Sequence, residues 1–266
     1  MHESLDTRAI ASEFVRLGWI FRYRSLSPGV DRDRVRASLS TGQHWFSPPS
    51  KFNDPFECTP RFTFSGTKEQ IREFWSASPT VAQLGEQDRE AGIQRMIALS
   101  ENPDRWPELE RPLHGIAEQQ GFLCLNKSPV SIPSWSHYAD GHKGICLVLA
   151  IEDRGWADVE VAPFKVRYSN DFPIANVYEL GWDRTVHTLL AVKSLEWEYE
   201  QEWRFLSTRG PGLVLIPDSA LVGIILGCRT SPEDERDVRT WVGASSPRYL
   251  RAVKAPYEYR LDIVPA

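Results

Sequence analysis

The sequence predicts an α+β fold with mixed, largely antiparallel sheets and a helical insertion, on three observations. Runs of strand length rich in apolar and β-branched residues dominate the chain from Gly121 onward. From Thr67 to about Gln120 a highly charged stretch carries its apolar residues at helical spacing, with Ile71, Phe74 and Trp75 on one stripe and Ile93, Ile97 and His114 to Ala117 on later ones. The first fifty residues read as strand, helix, strand behind an opening helix. No internal repeat, low-complexity tract or Gly/Ser linker separates folding units, so a single domain over residues 1–266 is expected, with the insertion at about 67–120.

Element by element, Asp6 is placed to cap a helix through Ile10, Phe14 and Leu17, and Gly18 ends it before a strand from Trp19 to Arg24. A helix from about Asp31 to Leu39 has Gly42 at its end, and a short strand covers His44 to Ser47. Pro48, Pro49 and Pro55 remove donors and restrict their neighbours, so Pro48 to Phe56 is a loop. Within it Asp54 suits an Asx turn before Pro55, with Phe56 plugged into the core. Later strands are expected at Gly121 to Leu125, Gly144 to Ile151, Val159 to Tyr168, Glu198 to Leu206, Leu213 to Ile216, Val222 to Leu226, Leu250 to Lys254 and Glu258 to Ile263. Helices from Asp183 to Lys193 and from Ser231, with Pro232 in its first turn, interrupt them.

Composition bounds the function. With 41% hydrophobic and 25% charged residues the chain is an ordinary globular protein, not a disordered one. A net charge of -5 argues against broad electrostatic binding to nucleic acid. Cys58, Cys124, Cys146 and Cys228 form no C-x-x-C pair and read as reduced core residues. No apolar run approaches the ~18 residues of a membrane span. A cytoplasmic protein with no membrane partner is the expectation.

The richest segment is Glu198 to Leu206. As a strand it puts Tyr199, Trp203 and Phe205 on one face and Glu198, Glu200, Glu202 and Arg204 on the other. Carboxylates roughly 7 Å apart repel one another, which raises the pKa of one of them if that face is covered. The same row also suits a solvated edge strand. Upstream, Trp135, Ser136, His137, Tyr138, Asp140, His142 and Lys143 crowd a turn into an apolar strand, where Gly141 and Gly144 permit a tight backbone. The spacing of His137 and His142 does not put two imidazoles on one helical face, so zinc is not indicated. Arg22 and Arg24 point to one side of the first strand, Phe21 and Tyr23 to the other, and an arginine there can hold an anion or pair with a surface carboxylate. No phosphate-binding glycine motif and no nucleophile elbow is present.

On these residues the chain resembles a bacterial family known as domain of unknown function twenty-nine seventy-one. The resemblance rests on Phe21 to Ser25, on Trp45 to Ser47 leading to Asn53 to Glu57, on Trp135 to Tyr138 with His142 to Gly144, and on Lys193, Trp197 and Tyr199 to Arg204. The layout is also similar to that of ADP-ribosyltransferases, which implies their split-sheet fold. That superfamily ends its first strand with Arg or His, has Ser or Tyr in a middle motif, and carries Glu on a later strand, often as Glu-x-Glu or Gln-x-Glu. Arg24 (or Tyr23), Tyr138 and Glu200 to Glu202 occupy those places here. Its Ser-Thr-Ser strand has no counterpart, since Phe122 to Asn126 offers only Asn126 before Ser128.

What the second resemblance implies is transfer of ADP-ribose from NAD, as substrate, to an unidentified protein or nucleic-acid acceptor, in a toxin or an antiviral defence effector. Cleavage at the ribose builds an oxocarbenium-like cation, which a fixed carboxylate stabilises. In that reading Glu202 is the carboxylate, Glu200 handles the acceptor and Tyr138 stacks on nicotinamide. Tyr23, Arg24, Asn53, Asp54, Trp135, His137, His142, Lys193 and Arg204 form the cofactor-binding set, with Arg24 on the pyrophosphate. Two other classes remain open: a metal-dependent nuclease using Asp54, Glu57, His137 or Glu202, and a non-catalytic sensor or scaffold with a Trp-rich surface.

Overall fold

The computed structural model describes residues 7–151, 161–207 and 209–266. In chain order the elements are α1 (Thr7–Arg16), β1 (Ile20–Arg24), α2 (Val30–Thr41), β2 (Gln43–Phe46), β3 (Arg61–Thr63), α3 (Lys68–Ser76), α4 (Pro79–Ala82), α5 (Glu86–Ser100) and α6 (Trp106–Glu118). They continue as β4 (Gly121–Leu125), α7 (Ile132–Tyr138), β5 (Ile145–Leu149), β6 (Val161–Lys165), β7 (Arg167–Ser169), β8 (Ile174–Asn176), α8 (Val177–Leu180), α9 (Trp182–Ala191) and β9 (Val192–Ser194). The last are β10 (Trp203–Ser207), β11 (Gly212–Leu215), β12 (Leu221–Leu226), α10 (Pro232–Trp241), β13 (Arg248–Lys254) and β14 (Leu261–Pro265). The result is a mixed α+β protein of several mostly antiparallel, open sheets.

The chain gathers into two compact units. One is drawn from Met1–Ser47, Gly121–Lys165 and Glu196–Ala266, the other from Pro48–Gln120 and Val166–Leu195. The helical stretch expected at 67–120 lies in the second.

In the first unit a five-stranded sheet runs β1-β5-β12-β13-β14. All pairs are antiparallel except β12 with β13, whose parallel pairing is bridged by α10. Every residue of β5 is buried, because both faces of the sheet are covered. One face packs Ile20, Leu147, Leu149 and Ile224 against Val35 and Leu39 of α2, Val238 of α10, and Leu123, Leu125 and Phe205. The opposite face packs Phe21, Tyr23, Cys146 and Val148 against Ile10 and Phe14 of α1, Trp135 of α7 and Ala139 at its end. A three-stranded sheet, β4-β10-β6, has Pro163 on its edge strand, where a missing N–H costs least. Backbone bridges from Phe21 to Asn126 and from Ser47 to Phe122 tie β4 to the chain on either side.

Local signals explain the element ends. Gly42 closes α2 in the left-handed region at φ 66°, and a Cβ there would lie 2.6 Å from the Ile216 carbonyl oxygen. Ser131 and Ser231 each cap a helix with proline in its first turn.

The second unit packs α3, α5 and α6 with α8 and α9 around Phe62, Phe64, Ile71, Phe74, Trp75, Ile93, Ile97, Leu109 and Leu113. Thr67 and Gln70 form a full capping box at α3. Glu110 of α6 accepts the Phe62 N–H at 2.7 Å, which anchors β3. Two short parallel pairs, β3 with β8 and β7 with β9, complete the unit.

Several expectations need correction. The Asp6 cap and the first residues of the strand expected from Val159 lie outside the described residues. Leu17 is exposed, since α1 ends at Arg16. Pro49–Lys51 forms a single 3-10 turn inside the proline-rich loop. Cys124 faces solvent on β4 because its neighbours Leu123 and Leu125 take the inward positions. The largest change is at Glu198: Leu195–Glu200 is a 3-10 segment and the strand begins only at Trp203.

Candidate functional site

Between the 3-10 segment and β10, Gln201 adopts φ 46°, a left-handed conformation that breaks strand alternation. The expected row of four charged side chains therefore does not form. Glu198 is exposed, while Glu200 and Glu202 are both 3% exposed and meet different partners.

Glu202 is held by Arg204. The guanidinium donates from Nε to Oε1 at 2.8 Å and from its second terminal nitrogen to Oε2 at 3.2 Å, a two-pronged pair with Arg204 fully buried. Such a pair braces the start of β10. It engages both oxygens of the carboxylate expected to face the ribose, and it commits Arg204, expected at the cofactor, to the protein itself.

Glu200 instead receives the Tyr138 hydroxyl, which donates to its Oε1 at 2.6 Å. Tyr138 is the last residue of α7, a helix not foreseen where a turn was expected. Ser131 accepts the Ser134 N–H at its start, and Asn126 donates to the Ser134 hydroxyl at 3.1 Å, so α7 is fixed to the end of β4. Beyond the helix, Asp140, Gly141 and His142 all have positive φ and turn the chain back, while Gly144 lies so close to β1 that a Cβ would meet the Arg24 carbonyl oxygen at 2.1 Å.

Around the Tyr138–Glu200 bond lies a cluster of rings. The exposed imidazole of His137 is 6.2 Å from Tyr138, 6.1 Å from Trp197 and 6.4 Å from Tyr199, and Trp197 and Tyr199 are 6.1 Å apart. Trp197 and Tyr199 are half-buried. The 3-10 geometry brings both onto this side, where a strand would have alternated them with the carboxylates.

Other expected site residues serve the core. Tyr23 is buried, donates to the Ser128 carbonyl oxygen at 2.7 Å and meets Trp135 edge-on at 5.1 Å; burial pushes its phenol well above the usual range. Trp135 is fully buried and donates to the Pro129 carbonyl oxygen. His142 stacks on Trp135 at 6.1 Å with an 11° interplanar angle, and burial followed by Arg229 lowers its pKa. Tyr23 and Trp135 thus present no free face to a cofactor.

Arg24 points to the face of the five-stranded sheet opposite Tyr23, whereas Tyr138 packs beside Tyr23's face. Its guanidinium pairs with Asp31 at 3.1 Å. The sheet thus separates Arg24 from Tyr138, and the expected pyrophosphate and nicotinamide contacts do not converge. Beside Arg24, the buried Arg22 contacts His44 Nδ1 at 2.8 Å and donates to the Trp45 carbonyl oxygen at 3.0 Å. Burial first, then Arg22 and Arg24, holds His44 well below its usual pKa, so the imidazole is neutral and accepts.

Asn53, Asp54 and Lys193 belong to the second unit. Asn53 is exposed, while Asp54 and Lys193 share the lining of one cavity with Asp171. Lys193 Nζ is 3.0 Å from Glu57 Oε1, both side chains 3% exposed. Two carboxylates and a lysine already paired do not cradle a pyrophosphate. The Asx turn is present, with the Phe56 N–H bonded to Asp54 Oδ1 at 2.9 Å, but Phe56 is 66% exposed instead of plugged into the core.

Among the described residues no three His, Cys, Asp or Glu side chains gather so as to hold a metal ion, and no helix is long and apolar enough to cross a membrane. None of the described tryptophans is exposed; Trp75 and Trp135 are buried and the others half-buried. No curated protein and no solved structure matches the chain. Residues 134–205, which carry most of α7, the paired Lys193 and the segment from Glu200 to Arg204, match the model of the family described as protein of unknown function (DUF2971).

Proposed function

We propose that this protein transfers ADP-ribose from NAD to a macromolecular acceptor, with Glu200 as the carboxylate at the reacting sugar. The observation that carries the reading is the 2.6 Å hydrogen bond from Tyr138 to Glu200 beside the rings of His137, Trp197 and Tyr199. A carboxylate removed from bulk water stabilises a developing cation more strongly than an exposed one, and it needs no reorganisation as charge appears. The phenol fixes its rotamer, and the neighbouring rings supply flat faces for a planar leaving group.

In this mechanism the bond from the ribose anomeric carbon to the nicotinamide nitrogen breaks, and the electron pair leaves with nicotinamide. Glu200 steadies the positive charge on the sugar. The acceptor nucleophile then bonds to the anomeric carbon and releases one proton to solvent. The pair of Glu202 with Arg204 keeps the segment in place and takes no part in bond making. Water as acceptor gives an NAD glycohydrolase by the same steps.

Incubating the purified protein with NAD labelled on its adenylate and with cell extract tests the reading. Label is expected to appear on an acceptor with the wild type and to fall about 100-fold with Glu200→Gln, on the scale of losing one preorganised electrostatic contact. Equal, background-level labelling and nicotinamide release from both proteins would count against any transferase role for Glu200.

A further inference from the structure

We propose that the cavity of the second unit is a binding site for a small, flat organic cation with N–H donors, of the amidinium or guanidinium type. The cavity encloses about 220 Å³. Ordinary small-molecule pockets hold roughly 300–1,000 Å³, so this one takes a single compact group and not a dinucleotide.

Its polar chemistry is acidic. Asp54 is 5% exposed, and while its Oδ1 accepts the Phe56 N–H, its Oδ2 is buried with no hydrogen-bond partner. Buried carboxylate oxygens are ordinarily satisfied, and Asp54 lines the cavity, so its unmatched oxygen suits a donor that arrives with a ligand. Asp171 adds a second carboxylate to the lining. Lys193, the lining's cation, is paired with Glu57. An anion entering here meets two carboxylates, whereas a cation meets a single like charge already paired with Glu57.

The apolar part of the lining selects shape. Phe56 and Phe172 are 66% and 43% exposed, and their rings meet edge-to-face with centroids 6.5 Å apart. Exposed aromatic rings on a loop gain little from their own packing, but their faces attract cations. Amidinium and guanidinium groups are planar, carry several N–H donors in one plane and match a carboxylate edge. The backbone that supports the site is fixed, since β7 and β9 pair Tyr168 with Lys193 and Ser169 with Ser194. The site lies wholly within the second unit and is independent of the role of Glu200.

Calorimetric titration of the full chain with benzamidine, agmatine and the neutral analogue benzamide tests it. Benzamidine and agmatine are expected to bind saturably, with benzamide at least about tenfold weaker, the scale of one charge-assisted hydrogen bond. Asp54→Asn keeps an oxygen for the Phe56 N–H and removes the charge; it is expected to weaken benzamidine at least about tenfold. Phe172→Ala, at an exposed position that does not threaten folding, is expected to weaken it severalfold. Failure of both cations to bind saturably, or unchanged benzamidine affinity in Asp54→Asn and Phe172→Ala, overturns the proposal.

Discussion

Glu200 in the first unit and Asp54 in the second are both carboxylates withdrawn from water, yet the protein treats them differently. Glu200 receives a phenol at 2.6 Å and lies beside a cluster of rings, whereas Asp54 spends one oxygen on a turn and leaves the other buried and unmatched. Glu202 is the control for both, since a guanidinium engages its two oxygens and its charge is consumed structurally. A buried carboxylate is therefore informative according to what meets it. A bidentate ion pair braces the fold, a phenol that donates fixes a carboxylate's rotamer, and an unmatched oxygen leaves room for a ligand.

The comparison can be broken at each carboxylate. Arg204→Met strands Glu202 as an uncompensated buried charge and is expected to lower unfolding stability by about 3–5 kcal/mol, read by urea denaturation. Adding Glu202→Gln to it should recover much of that loss. Were Arg204→Met neutral, the pair would not be the structural brace described here.

Next in size is a dependence on pH that neither site produces. His44 is buried and neutral, with its pKa held well below 6.5 in the folded protein. As pH falls below about 6.5 the unfolded chain takes a proton on this imidazole and the folded protein does not, so stability is lost, by up to about 1.4 kcal/mol per pH unit. Above that pH the contribution is constant. His44→Gln, which keeps an acceptor for Arg22, should flatten the slope of unfolding free energy between pH 6.5 and 5.

The smallest expected effect sharpens the contrast between Phe56 and the core. Phe56→Ser at its exposed loop position should change stability by less than about 0.5 kcal/mol. Phe74→Ala, inside the helical unit, should cost about 3–5 kcal/mol in the same assay. A large loss at Phe56 would mean that its ring is packed and not free for a ligand.

Much of the fold could be read from residue order. The alternation of Phe21 and Tyr23 against Arg22 and Arg24 sorts correctly onto the two faces of β1, and Gly42, Thr67 and Ser231 mark the ends they were expected to mark. What escaped has identifiable causes. Three-residue strands such as β3, β7, β8 and β9 are too short to show a period of two. The glycines and polar side chains of Trp135 to Gly144 suggest one turn and mask α7, although Ser131 followed by Pro133 is a helix-start signal. At Gln201 nothing in the side chains announces a left-handed residue, yet that single φ separates Glu200 from Glu202 and sends one to a phenol and the other to a guanidinium. The acidic segment itself is plain in the residues, but that Tyr138 meets Glu200 and Arg204 meets Glu202 could be learned only from tertiary contacts.

The sharpest check on that division is the initial rate of nicotinamide release from NAD by wild type, Tyr138→Phe and Glu200→Gln, with all three confirmed folded by their melting curves. A drop of about tenfold is expected for Tyr138→Phe, the value of one hydrogen bond to a charged group, and of about 100-fold for Glu200→Gln. Three indistinguishable rates would contradict it.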